Sequence, residues 1–233
     1  MERIDKIIAS QGQYSRKEVK ALIAKGRIAV DGRIVSSSSE KADPMTMLLT
    51  VDGKPLEFKR NLYLVLNKPK GYISATEDRD HPIVLELVPQ EYRGRDLFPA
   101  GRLDRDTTGL MIITDDGALA HNILAPKKHV PKLYHVELDI PVTEEMRLGF
   151  SEGVMLNDGV SKAADLIKTG EKTAEVTLRE GRYHQIKRMF GCFGAEVLEL
   201  KRLGMGRLTL PADLAEGECR EMSEEELALL QER

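Results

Sequence analysis

Gly101-Arg102-Leu103-Asp104-Arg105-Asp106-Thr107-Thr108-Gly109-Leu110 is the most informative stretch of this 233-residue chain. It is polar and rich in turn formers, held between the apolar 97–100 and the run Leu110-Met111-Ile112-Ile113-Thr114. That run is short, apolar and partly β-branched, which reads as a buried strand. A loop fixed at both ends by strands can present a carboxylate at a defined position. Asp104 and Asp106 are the candidates. Composition alone also allows a plainer role, in which either aspartate closes an Asx turn by accepting from backbone two residues on.

Outward from this loop, strand-like runs recur at 62–66, 109–114, 134–140, 174–179, 196–200 and 207–210, with helical windows at 118–124, 144–152 and 183–193. The alternation is irregular. An α+β domain over 60–233, with a mixed, largely antiparallel sheet flanked by helices, is therefore expected. Within 183–193, Ile186, Met189, Phe190 and Phe193 fall at i, i+3, i+4 and i+7, so one face is buried and Lys187 and Arg188 point elsewhere.

The N-terminal 35 residues read as a separate small unit. Ile4, Ile7 and Ile8 mark a short amphipathic helix, and Ser15 with Glu18 forms a capping box that opens a second one. Val19, Leu22 and Ile23 make its apolar stripe, Arg16, Lys17 and Lys20 its other face, and Gly26 its end. Asp31-Gly32 between apolar runs is a two-residue hairpin signal. The polar stretch 36–59 reads as a linker, which places the domains at 1–59 and 60–233.

Charge is uneven. The whole chain carries −3, but residues 1–33 hold a net +4, residues 179–207 another +4, and residues 212–233 a net −6. A basic head of this kind suits nucleic acid, with Arg16, Lys17, Lys20, Lys25 and Arg27 placed for phosphate contacts. Apolar runs are far shorter than the roughly 20 residues of a membrane helix. The charged start has no secretory core, so a cytoplasmic, membrane-free protein is expected. Cys192 and Cys219 are the only cysteines and have no metal-ligand spacing. No phosphate-cradling glycine motif occurs.

Four segments in order, Asn67-Lys68-Pro69-Lys70-Gly71-Tyr72, the 101–110 loop, Lys132-Leu133-Tyr134-His135-Val136-Glu137-Leu138 and Glu180-Gly181-Arg182-Tyr183-His184-Gln185-Ile186-Lys187-Arg188-Met189, resemble the pseudouridine synthases that modify small-subunit ribosomal RNA. Residues 3–35 are similar to the S4 RNA-binding domain, a small α/β module that this family carries in front. The resemblance implies that Asp104 is catalytic, that Tyr134 packs against the target base, and that Lys187 pairs with Asp104. It also implies that Arg102 lies near the RNA stack left by the extruded base, and that Leu203 of Lys201-Arg202-Leu203-Gly204 lines the uracil pocket.

Such an isomerisation requires no cofactor and no metal. The implied substrate is 16S ribosomal RNA at the uridine numbered 516, in an assembling small subunit, with a monomeric enzyme. Two alternatives share the scaffold: a non-enzymatic ribosomal RNA assembly factor, and a synthase acting on large-subunit RNA. A glycosidase-like use of Asp104 and Asp106 as a carboxylate pair is disfavoured, because two charges two residues apart push one member toward protonation.

Overall fold

The computed structural model describes residues 1–125 and 130–232. The chain forms two compact units, Met1–Leu62 with Val88–Leu97, and Tyr63–Leu87 with Phe98–Arg233.

The first unit contains β1 (Glu2–Arg3), α1 (Ile4–Ala9), α2 (Arg16–Ala24), β2 (Ile28–Val30), β3 (Arg33–Ile34), β4 (Lys41–Ala42), β5 (Leu49–Val51) and β6 (Lys54–Pro55). The capping box opens α2: the Ser15 hydroxyl accepts from the Glu18 N–H and the Glu18 carboxylate from the Ser15 N–H. Asp31 and Gly32 turn β2 into β3 at φ 48° and 81°, the left-handed pair that a tight hairpin needs. Ile4, Ile7, Ile8, Val19, Leu22 and Ile23 from the two helices pack on Ile28, Val30, Leu49 and Val51.

Segment 36–59 is thus not a linker. β5 pairs with β2, and the sheet runs β3-β2-β5-β6. Two helices and one hairpin enclose too little apolar area to stand alone, and β5 and β6 enlarge that core. The signal was present: Asp52-Gly53, at φ 55° and 74°, repeats the Asp-Gly turn of the first hairpin. Val88–Leu97, in the middle of what the sequence assigns to the second domain, also belongs here. Arg95 donates to Gln11 Oε1 (3.3 Å) and to the carbonyls of Lys59 and Arg60 (3.2 Å each).

The second unit contains β7 (Tyr63–Lys68), β8 (Phe98–Pro99), β9 (Thr108–Thr114), α3 (Gly117–Leu124), β10 (Lys132–Leu138), α4 (Glu144–Glu152), β11 (Met155–Leu156), β12 (Gly159–Val160), β13 (Asp165–Lys168), β14 (Thr173–Leu178), α5 (Gln185–Gly191), β15 (Val197–Met205), β16 (Leu208–Thr209), β17 (Cys219–Glu221) and α6 (Glu224–Gln231). The main sheet runs β13-β14-β10-β15-β9-β7-β17. Its pairings are antiparallel except β15 with β9, so the expected α+β class with a largely antiparallel sheet is the observed one.

β9 is buried at every residue, as a strand covered on both faces must be. β14 alternates between buried and half-buried positions. Leu119, Ala120 and Ile123 of α3 pack on Leu110, Ile112, Met205 and Leu208, with Leu230 of α6 in the same cluster. Phe150 of α4 meets Phe190 of α5 at 4.7 Å between ring centroids. Burying each such ring contributes about 1.5–3 kcal/mol. Asp116 caps α3 by accepting from Ala118 N–H and Leu119 N–H, and Tyr63 Oη donates to the same carboxylate (2.8 Å).

Two boundaries differ from the sequence reading. β15 continues through Lys201-Arg202-Leu203-Gly204, beyond the run read at 196–200, and α5 begins at Gln185 rather than at Tyr183. No helix among the described residues is long and apolar enough to cross a membrane.

Candidate active site

A cleft of about 590 Å³ opens in the second unit, with Arg102, Asp104, Tyr134, His184, Leu200 and Arg202 among its lining residues. Its geometry begins with the loop between β8 and β9. Lys68, at the end of β7, is fully buried. Its ammonium donates to the carbonyls of Thr107 (2.8 Å), Asp104 (3.1 Å), Pro69 (3.1 Å) and Arg105 (3.3 Å). Three donor hydrogens serve four acceptors, so at least one is shared. Burial pushes the Lys68 pKa down to about 8 against the opposing pull of Asp106 and Asp104.

Ser74 holds the loop from a second side, accepting from Leu103 N–H (2.9 Å) and donating to Leu103 O (2.8 Å), while Gly71 N–H donates to Arg105 O (2.8 Å). The 67–74 segment is therefore the clamp that shapes the aspartate loop. Gly109 lets β9 approach β15: at φ 97°, an added Cβ would lie 2.2 Å from Arg202 O.

Asp104 makes no Asx turn. Its backbone carbonyl accepts from Thr107 N–H, but its carboxylate makes no hydrogen bond within the loop, and the basic side chain beside it is His184, whose Nε2 lies 3.5 Å from Oδ1. Lys187 does not pair with Asp104 as expected. Its ammonium sits on Asp106 instead. His184 and Lys187 stand three residues apart at the start of α5, on one side of the helix. They divide the two carboxylates between them. Burial works to raise the Asp106 pKa, but the Lys187 ammonium outweighs it and holds the carboxyl below its usual range.

His184 occupies the left-handed region (φ 47°, ψ 37°), unusual for a residue with a side chain. Its ring stacks on Tyr183 at 3.8 Å, and Arg188 donates to the Tyr183 carbonyl (3.1 Å). Tyr134, on β10, is 8% exposed and lies directly across from Arg202 on β15. Arg102 is exposed at the cleft. Leu203 is not part of the lining. It is the extra residue where the register passes from Leu133↔Gly204 to Tyr134↔Arg202, a bulge that leaves Leu200 and Arg202 on the cleft wall.

Sequence reasoning missed Lys68, Leu200 and Arg202, and gave His184 no role. A lysine closing an apolar strand run was the available sign for Lys68. No cluster of three or more His, Cys, Asp or Glu that could hold a metal occurs among the described residues.

In the first unit, Arg16, Lys17, Lys20 and Lys25 are exposed, whereas Arg27 makes a two-pronged pair with Asp52. The second basic stretch is largely neutralised, with Arg179 on Asp165 and Arg188 on Asp158.

Together these features define an α+β domain that carries a loop-borne aspartate in a cleft, on a chain that begins with a helix–helix–hairpin unit. The family described as RNA pseudouridylate synthase matches residues 62–191, and the S4 domain matches residues 2–48. The chain is 45% identical over 235 residues to an uncharacterized RNA pseudouridine synthase of Bacillus subtilis, covering 99% of this chain and 98% of that one. It is 42% identical over 229 residues to the ribosomal small subunit pseudouridine synthase A of Escherichia coli, covering 97% and 98%. A crystal structure of a pseudouridylate synthase aligns with a TM-score of 0.70 at 34% identity, over 99% of this chain and 100% of that one. The chain belongs to the RNA pseudouridylate synthase family and is an isomerase of that class.

Proposed function

We propose that this enzyme converts a uridine of small-subunit (16S) ribosomal RNA into pseudouridine, at the position numbered 516. The observation that carries the reading is the state of Asp104: its carboxylate is not spent on its own turn and stands in a cleft with a buried tyrosine. The small-subunit target rests on the ordered sequence motifs and on the likeness to the Escherichia coli enzyme.

The reaction breaks the C1′–N1 bond, turns the uracil, and joins C5 to C1′. The proton on C5 is given up and N1 gains one, so no atom is added or lost overall. The base must leave its stack, at a cost of a few kcal/mol. Stacking on Tyr134 offsets about 1–3 kcal/mol of that. As the glycosidic bond loosens, positive charge grows on the ribosyl carbon and negative charge on the uracil. Asp104 faces the first, and the basic groups of the cleft wall face the second. Lys187 acts through Asp106, tying α5 to the loop, and Arg102 suits the space that the extruded base vacates. The exposed basic face of α2 supplies phosphate contacts.

The test is to incubate the protein with small-subunit ribosomal RNA and map pseudouridine by carbodiimide-stop sequencing. One new stop at the proposed uridine is expected with the native enzyme and none with Asp104→Asn, which removes charge but little volume. Conversion by purified, folded Asp104→Asn defeats the assignment of Asp104. A stop only in large-subunit RNA defeats the assignment of the target.

A further inference from the structure

Three buried side-chain polar atoms have no hydrogen-bond partner among the described residues: Asn67 Oδ1, Thr107 Oγ1 and Arg202 Nη2. Two of the three belong to residues that line the cleft. Arg202 is 1% exposed, and no carboxylate among the described residues forms a salt bridge with it. Its Nε donates to Leu110 O (2.6 Å), which fixes the plane of the guanidinium and leaves its outer nitrogens uncommitted.

A guanidinium cannot shed its charge, and a buried charge without a partner is costly. Nor is the neighbourhood compensating: Lys132, also on the cleft wall, is pushed down to about 8 first by burial and then by Arg202 itself. A group this expensive, beside an unpaired hydroxyl in the same cleft, fits a partner that arrives with the substrate.

We propose that Arg202 holds a carbonyl oxygen of the extruded uracil. The inference rests on the reading of the cleft as a pseudouridine synthase site. Arg202 stands directly across the β10–β15 ladder from Tyr134, so a base stacked on that ring presents its edge to the guanidinium. A guanidinium offers donors only, and uracil offers two carbonyl oxygens. The same contact stabilises the negative charge that spreads onto those oxygens when the C1′–N1 bond breaks. Thr107 Oγ1 can accept or donate and is suited to the remaining polar edge of the ring. Cytosine, with an amino group in place of one carbonyl, lacks one of these acceptors.

The experiment uses the full chain in an Asp104→Asn background and two synthetic fragments of small-subunit ribosomal RNA, one with the mapped uridine and one abasic there. The parent variant is expected to bind the uridine RNA more tightly. Adding Arg202→Met should remove roughly tenfold or more of that preference, with affinity for abasic RNA unchanged. Arg202→Lys should keep part of the preference, and Thr107→Val should reduce it less than Arg202→Met.

Equal weakening on both RNAs, or an undiminished preference, overturns the proposal and leaves Arg202 as a strut for Leu110. Circular dichroism establishes that each variant is folded, and failure of both Arg202 variants to fold also overturns it. If the parent does not distinguish the two RNAs and the native enzyme forms no pseudouridine, the functional reading itself falls. If the native enzyme converts the uridine but Arg202→Met keeps the preference, only the present inference falls.

Discussion

At the scale of single residues, Lys68 sets the cost of a buried ammonium against four hydrogen bonds. Burial of an ammonium is costly, and the drop of its pKa to about 8 registers that cost. What it gains is the shape of one loop, through four carbonyls that span Pro69 to Thr107. Lys68→Met removes the charge and leaves those acceptors without their donor. We expect a loss of about 1–3 kcal/mol in unfolding free energy. Turnover should fall by roughly tenfold or more, because misplacing a catalytic group by about 1 Å costs on that order or beyond. The KM for RNA should stay near its native value, since Lys68 touches only protein. Single-turnover kinetics with urea unfolding check both halves, and a rise in KM with unchanged kcat contradicts the positioning role. The place of Asp104 and Tyr134 on one cleft was legible in the sequence because a motif surrounds each. The partner of Lys187 was not, because spacing along a chain does not say which of two nearby carboxylates an ammonium will choose.

At the scale of elements, α2 was the most legible piece. Its capping box, apolar stripe and end all stand where the pattern puts them. Its solvent face offers Arg16, Lys17 and Lys20, with Lys25 just beyond. None of these four makes a salt bridge among the described residues, whereas Arg3, Arg27 and Arg33 pair with Asp5, Asp52 and Glu40. Replacing Lys17, Lys20 and Lys25 by Gln should weaken RNA binding and flatten its dependence on salt. Each phosphate left without its cation lowers the log–log slope by roughly 0.7–0.9. An Arg27→Gln variant should change the slope less than any one of these. An unchanged slope in the triple variant would remove α2 from the RNA interface. The far end of the chain was read less well. The sequence reading ends a strand at residue 200 and opens another at 207, yet β15 runs on from Val197 to Met205 through Lys201 and Arg202, the second of which is buried.

At the scale of the whole molecule, four groups among the described residues govern how stability answers to alkali between about pH 8 and 10. Burial brings Lys68 and Lys132 to about 8 from the usual 10.5. Both hold protons more weakly when folded, so above about pH 8 unfolding takes up protons and stability rises. Burial raises Cys219 from 9.0 to about 12, while burial and the Asp116 hydrogen bond raise Tyr63 from 10.0 to about 12. These two hold protons more tightly when folded and take stability back above pH 9 and 10. The unfolding free energy should therefore climb most steeply between pH 8 and 9, more slowly up to about pH 10, and then level off. Urea midpoints across that range check it, and Lys132→Met should cut the climb by about half. A midpoint that falls from pH 8 to 9 contradicts the assignment. Fold class was legible from the irregular order of strand and helix patterns. The return of Val88–Leu97 to the first unit was not, since no local pattern encodes which core a segment will join.

That return has a practical consequence for anyone who wishes to dissect the enzyme. A fragment cut at residue 59 loses Arg95, and with it the guanidinium that bridges Gln11 to the carbonyls of Lys59 and Arg60. The RNA-binding piece cannot be lifted out as a bead from a string. Any transplant of it onto another protein has to carry a ten-residue staple borrowed from far downstream.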